Sequence, residues 1–315
     1  MNILVTLPTN DEHKKLLEKQ APQANFEYVV QSEVTQEQVK NADVIIGNVP
    51  PAYLKNADKL KFLQLNTAGA DGFTTAIGED VLLTNTTGSF GLAISEHMIG
   101  MVLMLMKRLH QYRDNQLKCV WHDEGNVKSI EGSKVLVLGL GDIGGEFARK
   151  MKALGAYTIG VRRKDTTKPD YMDEIHLQED IDKLIPEADI IAMALPGTNE
   201  TRKIMNKQRI DSMKKGAILI NVGRGYAVDT DALADAVERG DILAGVDVTD
   251  PEPLPENHKL WKCENAIITP HISGFFHLQE THNRMVKISA ENLSRFVNGK
   301  PLMNIVDRET GYRKL

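Results

Sequence analysis

Apolar residues in this chain come in short bursts separated by amphipathic or polar stretches. In the first hundred residues the bursts are ILVTL (3–7), FEYVV (26–30), DVIIGN (43–48), KFLQLN (61–66) and VLLTN (81–85). Between them lie stretches of helical character, such as DEHKKLLEKQ (11–20) and TQEQVKNA (35–42). Strand-length apolar runs alternating with helical segments predict a small α/β layer fold. The stretch from Leu92 to Gln116 reads as one long helix, and its first half is apolar on nearly all sides, as expected of a helix covered by another domain or subunit. A second series starts at Lys134: KVLVLG, YTIGVR (157–162), DEIHL (173–177), DIIAMAL (189–195), AILIN (217–221), ILAGVDV (242–248) and NAIITP (265–270). Helical stretches such as GGEFARKMKALG (144–155) and DTDALADAVERG (229–240) separate these runs. About six alternating strands complete a doubly wound sheet. The amphipathic stretch from His277 to Asn298 is expected to cross back to the first domain. The expected division is therefore a discontinuous domain of residues 1–97 plus 277–315, and a second of 98–276.

A length of 315 residues fits two domains of roughly 150 residues each. The formal net charge of −5 gives no global basic field for nucleic acid or a membrane surface. The densest apolar stretch, MIGMVLMLM (98–106), is about half the span a bilayer requires and reads as a buried helix. MNILVTLPTN has no basic segment before its apolar residues and suits a first strand better than a signal peptide. Cys119 and Cys263 form neither a disulfide framework nor a metal quartet, and they fit a reducing cytoplasm.

The run KVLVLG leads straight into Gly139-Leu140-Gly141-Asp142-Ile143-Gly144. A lone G-x-G-x-x-G is weak evidence, but here a strand precedes it, a helix follows, and the next strand ends about twenty residues on. Gly139 makes the tight turn, Gly141 admits the pyrophosphate and Gly144 lets helix and strand pack closely; Asp142 and Ile143 open a helix whose N–H groups face the phosphates. NAD-binding versions usually carry Asp or Glu at the end of the second strand, for the ribose hydroxyls. This chain has Arg162-Arg163-Lys164 there, a set suited to a 2′-phosphate through paired guanidinium donors. NADP is therefore expected over NAD, although Asp165 adds a negative charge to the run and a solvated basic turn is the plainer reading.

Three further residues, Arg224, Glu252 and His271, follow the last three strand runs. Ligands of open parallel sheets bind beyond the carboxyl ends of the strands, so these three are expected beside the glycine loop. Singly each has an ordinary reading: a surface charge, a residue of the proline-rich PEPLP, a satisfied histidine. Together they match a definite chemistry. Reduction of a 2-oxo acid puts a hydride on the carbonyl carbon and a proton on its oxygen. An imidazole suits the proton transfer near neutral pH, a carboxylate beside it favours its charged form, and a guanidinium grips the substrate carboxylate and polarises the carbonyl.

The motifs GLGDIG (139–144), ALPGTNETR (194–202), INVGRGYAVDTDAL (220–233), GVDVTDPEPLP (245–255) and TPHISG (269–274) together resemble the D-isomer-specific 2-hydroxyacid dehydrogenase family, nearly end to end. The resemblance implies a Rossmann-type doubly wound parallel sheet and a second, smaller flavodoxin-like α/β domain, with the site in a cleft that closes on substrate. It makes Arg224, in N-x-x-R-G, the substrate anchor, His271, in T-P-H, the acid–base, and Glu252 its supporting carboxylate. It also places Leu195, Pro196 and Thr198 along the cofactor and Asp247 near the nicotinamide. Backbone N–H groups of Gly69 and Ala70, after KFLQLN, become donors to the substrate carboxylate, where an ordinary glycine turn is nearly as good a reading. The phosphoglycerate dehydrogenase branch has an Arg near the start of this loop. Asn66 stands here instead, which argues against a phosphorylated substrate. Relatives that act on formate pair the His with Gln, where this chain has Glu252. The expectation is a cytoplasmic, homodimeric, NADP-preferring reductase of glyoxylate or hydroxypyruvate. The alternatives are an NAD-linked D-lactate-type dehydrogenase and a dinucleotide-sensing, corepressor-like interaction protein.

Overall fold

The computed structural model describes residues 1–163 and 167–314. The chain divides into two compact units, Met1–Phe90 with Phe276–Leu315, and Gly91–Phe275. The expected boundary at 97/98 would cut a single helix, Gly91–Met106, which belongs whole to the second unit.

The first unit holds β1 (Asn2–Val5), β2 (Asn25–Tyr28), β3 (Val44–Ile46), β4 (Phe62–Gln64) and β5 (Leu82–Thr84). They pair in parallel in the order β2-β1-β3-β4-β5, the flavodoxin-like order. Fully buried Ile45 and Leu63 lie in the apolar core on one side of this sheet, with Leu4, Leu54 and Phe73. The helix Gln279–Val297 returns to this unit, and its buried Asn292 explains how it is held. Asn292 Nδ2 donates to Gln64 Oε1 (2.8 Å) and to Met303 O (3.0 Å), while its Oδ1 accepts from Met303 N–H (2.8 Å). Gln64 Oε1 also accepts from Thr84 Oγ1 at 2.8 Å, so one buried amide network joins β4, β5 and the last helix. Such groups are tolerated inside because every one has a partner.

The second unit holds β6 (Lys134–Leu138), β7 (Tyr157–Arg162), β8 (Glu174–Leu177), β9 (Ile190–Met193), β10 (Ile218–Asn221), β11 (Leu243–Val246) and β12 (Ala266–Ile268). The order is β12-β11-β10-β9-β6-β7-β8, with every neighbour parallel. The order reverses between β6 and β9, which is the switch point where a doubly wound sheet binds its ligand. DEIHL forms β8 at one edge of the sheet. The central strands β6, β9 and β10 are buried along almost their whole length and accordingly read as continuous apolar runs rather than alternating ones.

The long helix expected from Leu92 to Gln116 is in fact two, Gly91–Met106 and Leu109–Leu117. The break is at Arg108, whose φ of 55° is left-handed and cannot continue an α-helix. The first helix buries Ile94, Met98, Met101, Val102 and Leu105, and Met101 packs over Gly245 of β11. The second buries nothing. No helix among the described residues is long and apolar enough to cross a membrane.

Candidate active site

The glycine loop leaves β6 at the switch point. Gly139 has φ +91°, and a side chain there would press on the Ala194 carbonyl, so the loop after β9 lies against it. A methyl group at Gly144 would overlap the Gly139 carbonyl, which is why helix Asp142–Ala153 can pack so near its strand. Gly141, by contrast, faces open space, and as N-cap it supplies no side chain to the helix start. A helix start without a side-chain cap is the kind of place where a phosphate can be received. A dinucleotide fits these residues. The Asp142 side chain is engaged within the protein, because its Oδ2 accepts from Gly91 N–H at 3.0 Å. Ile143 lies in the same first turn.

The loop after β9 carries Leu195, Pro196 and Thr198. Thr201, nearly buried, ties it: its Oγ1 donates to Pro196 O (2.7 Å) and accepts from Thr198 N–H (3.0 Å). Arg162 is the last residue of β7, and its Nη1 donates to Thr167 O at 3.2 Å. Arg163 pairs with Glu200 at 3.7 Å. Lys164, the third residue of the basic run, lies outside the described residues.

Arg224, Glu252 and His271 follow the adjacent strands β10, β11 and β12. The turn before Arg224 is set by Asn221, almost fully buried, whose Oδ1 accepts from Gly223 N–H (3.1 Å) and whose Nδ2 donates to Arg224 O (3.1 Å). Gly225 then packs on the backbone of Thr249, so the segments after β10 and β11 touch. Arg224 Nη1 donates to Gly223 O at 3.0 Å. His271 Nδ1 lies 2.5 Å from Glu252 Oε1. An ionised carboxylate only accepts, so Nδ1 carries a hydrogen and Nε2 is the nitrogen left to face a reactant. Both side chains are partly open to solvent, about half in the case of His271 (49%).

His271 has φ +52°, a left-handed conformation that costs a non-glycine residue about 1–3 kcal/mol. Asp247 holds it there. Its main-chain carbonyl accepts from His271 N–H at 2.8 Å. Oδ1 accepts from Thr269 Oγ1 (2.5 Å) and Ile272 N–H (3.0 Å), and Oδ2 from Ser273 Oγ (2.5 Å) and Ser273 N–H (3.1 Å). Asp247 is 2% exposed. Burial alone would raise its carboxyl, but the hydrogen bonds from Ser273, Thr269 and Ile272 outweigh it and hold the group below its ordinary value. Asp247 was expected near a nicotinamide. In the structure its carboxylate oxygens are spent on the His271 loop. Asn221, Thr269 and Ser273 are site residues that sequence reasoning missed, although N-V-G in INVGRG is an Asx-turn signal.

In the first unit, the loop after β4 corrects one expectation. Ala70 N–H donates to Gly311 O at 2.9 Å and is not available to a substrate. The carbonyl of Thr67 accepts from Thr86 N–H (3.1 Å). The carbonyl of Ala68 accepts from Asn85 Nδ2 at 2.6 Å. In a trans peptide the N–H points opposite to the carbonyl, so these bonds turn the N–H groups of Ala68 and Gly69 the other way. Of the two N–H groups expected to serve a substrate, Gly69's is turned outward with that of Ala68, and Ala70's is not. The signal was absent from sequence because it depends on Asn85 and Thr86, just past the end of the neighbouring strand β5.

The chain matches the family model of the D-isomer specific 2-hydroxyacid dehydrogenase, NAD binding domain, over residues 99–273. It belongs to the D-isomer specific 2-hydroxyacid dehydrogenase family. A glyoxylate reductase of Aeropyrum pernix is 34% identical over 271 residues, covering 81% of this chain and 79% of the relative. The crystal structure of a D-isomer specific 2-hydroxyacid dehydrogenase family protein from Aeromonas salmonicida subsp. salmonicida A449 superposes with a TM-score of 0.86 at 30% identity, covering 98% of this chain and 99% of that one. Another, from Xanthobacter autotrophicus Py2 in complex with NADPH and MES, gives a TM-score of 0.78 at 26% identity and covers 99% of each chain. The matched residues include the glycine loop, Arg224, Glu252 and His271, so this dehydrogenase has the family's oxidoreductase chemistry on NAD(P) and a 2-hydroxy acid.

Asp247→Asn puts an amide N–H₂ against donors it cannot accept from. The loss is expected to be about 3 kcal/mol of stability in the second unit and about 100-fold in kcat, through misplacement of His271. The folded carboxyl titrates below its ordinary value. Its stabilisation is therefore complete above the unfolded pKa and is lost as pH falls through the folded one. Urea titrations of wild type and variant at a series of pH values should show the gap closing in acid; a gap that is constant with pH would contradict the assignment.

Proposed function

We propose that this dehydrogenase reduces a small, unphosphorylated 2-oxo acid, glyoxylate or hydroxypyruvate, with NADPH as the preferred cofactor. The observation that carries the reading is the 2.5 Å pair of His271 Nδ1 and Glu252 Oε1, on strand ends next to that of Arg224. When bound, the nicotinamide supplies a hydride to the carbonyl carbon. His271 Nε2 gives the proton to the carbonyl oxygen, which completes the 2-hydroxy acid, and takes it back in the reverse direction. Glu252 keeps the imidazole oriented through Nδ1. Arg224 pairs with the substrate carboxylate and polarises the carbonyl. In the first unit, the outward-turned Ala68 and Gly69 N–H groups are suited to a carboxylate.

The substrate assignment is supported by the glyoxylate reductase of Aeropyrum pernix and by Asn66, a neutral residue where phosphoglycerate-type relatives carry Arg. The cofactor assignment is supported by Arg162 and Arg163 at the end of β7, where an acid would serve NAD, and by the NADPH-bound relative of Xanthobacter autotrophicus. Glu200 favours the second reading, an NAD-linked D-lactate-type enzyme, because its carboxylate near Arg163 opposes a 2′-phosphate. A homodimer is supported by helix Leu109–Leu117, which buries nothing, and by the exposed Leu117, Val120 and fully exposed Trp121 that follow one another on the surface. The two free cysteines suit the reducing cytoplasm.

Absorbance at 340 nm with a panel of 2-oxo acids and both cofactors tests the whole reading. Glyoxylate or hydroxypyruvate with NADPH should give the highest kcat/KM, and Arg162→Asp should lower that value about tenfold or more beyond its effect with NADH; a wild type that prefers NADH sinks the cofactor assignment. His271→Ala should lose roughly 10²–10⁴-fold in kcat while NADPH binds within a few-fold of wild type by fluorescence; unchanged kcat removes the proton-donor role. Light scattering should give a dimer that Leu117→Arg with Trp121→Arg converts to monomer, and a monomeric wild type refutes it.

A further inference from the structure

Helix Gly91–Met106 is bonded to both the glycine loop and the His271 loop. At its first residue, Gly91 N–H donates to Asp142 Oδ2 at 3.0 Å, and Asp142 opens the helix that follows the glycine loop. Two turns on, His97 Nε2 lies 3.1 Å from Thr269 Oγ1. Thr269 Oγ1 is in turn 2.5 Å from Asp247 Oδ1. The direction of these bonds is forced. Asp247 is ionised and only accepts, so the single hydroxyl proton of Thr269 goes to it. The Thr269 oxygen must then accept from His97, so His97 Nε2 carries a hydrogen. Donation runs from His97 to Thr269 to Asp247, and the same carboxylate receives Ile272 and Ser273. Thr269 also acts through its backbone, because its carbonyl accepts from His271 N–H at 3.0 Å, alongside the Asp247 carbonyl.

We propose that His97 is a positioning residue for the proton-transfer step. Its Nε2–H locks the Thr269 hydroxyl onto Asp247, and this holds His271 in its left-handed backbone conformation. Because Gly91 on the same helix is bonded to Asp142, the His271 loop and the glycine loop are referenced to one rigid rod. A small misplacement of the imidazole would otherwise go uncorrected, since the conformation of His271 is not one its own backbone prefers. The inference rests on the dehydrogenase reading only for its kinetic consequence. A histidine that merely fills the helix surface would be replaceable by leucine, whereas a donor would be replaceable by glutamine.

The test compares His97→Leu, His97→Gln, Thr269→Val and the double variant His97→Leu/Thr269→Val. With NADPH and glyoxylate, His97→Leu should lower kcat roughly 10- to 100-fold with KM for NADPH within about twofold. His97→Gln should return kcat to within about threefold of wild type, and the double variant should fall no lower than the poorer single one. A readout independent of turnover is hydrogen exchange of the peptide containing Thr269–Gly274. Exchange at Ile272 and Ser273 should quicken in His97→Leu and stay at the wild-type rate in His97→Gln. Exchange unchanged in His97→Leu overturns the positioning role whatever the enzyme turns over. Equal loss in His97→Leu and His97→Gln overturns the donor role. A wild type inert toward every 2-oxo acid, with exchange behaving as expected, would overturn the proposed function and leave the positioning role standing.

Discussion

The carboxylate of Asp247 is the constraint on which the rest of the site depends. A buried charge is costly unless it is hydrogen-bonded, and here four donors from three residues meet its two oxygens. Those donors are the segment on either side of His271. The cost of burying the charge and the cost of a left-handed histidine are offset by the same bonds, so neither feature would persist without the other. Since Asp247 follows β11 and Thr269 follows β12, the bonding also ties two neighbouring strand ends. Glu252 sits five residues beyond Asp247 and is delivered to the Nδ1 of the histidine that Asp247 holds.

Parallel pairing explains why so few residues suffice. In an antiparallel sheet consecutive strands would place successive loops at opposite edges. In the second unit every strand runs the same way, so the segments after β6, β9, β10, β11 and β12 all emerge at one edge. Residues distant in sequence, Gly139, Leu195, Arg224, Glu252 and His271, are there because each follows the carboxyl end of a strand. The positions of the glycine-loop helix start and of the His271–Glu252 pair are therefore products of one topological rule. Small residues then set the spacing: Gly144 brings helix to strand, and Gly225 brings the Arg224 turn onto the backbone of Thr249.

The loop after β4 shows how a side chain can aim a backbone. Asn85 binds the Ala68 carbonyl, and because the peptide is planar this aims the Gly69 N–H as surely as a contact to that group would. Asn66, nearly buried, donates its own N–H to Asn48 Oδ1 at 3.1 Å, so both ends of the loop are held by amide side chains. Donors held in this way are fixed in direction before any ligand is present.

The fold was legible in the chain because strand runs and turn residues are local. All twelve apolar runs became strands, even DEIHL at the sheet edge, and the glycine spacing marked the switch point. The placement of Arg224, Glu252 and His271 just past adjacent strands was legible because it needed only the rule for parallel sheets. Elsewhere sequence reasoning failed where long-range bonds decide. Arg108 has an ordinary helical residue's side chain, and only its left-handed backbone splits the expected helix. Ala70 and Ala68 are the same residue type in the same loop. Which N–H stays available is settled by Gly311 and Asn85, far away in the chain. Asp247 likewise carries no local sign that its oxygens turn to Thr269, Ile272 and Ser273. Sequence by itself determined the order of elements and the family they belong to, since strand runs and motifs are both local patterns. Tertiary structure alone decided which hydrogen-bond donors are occupied and which face outward, because a donor's partner is chosen by proximity in space.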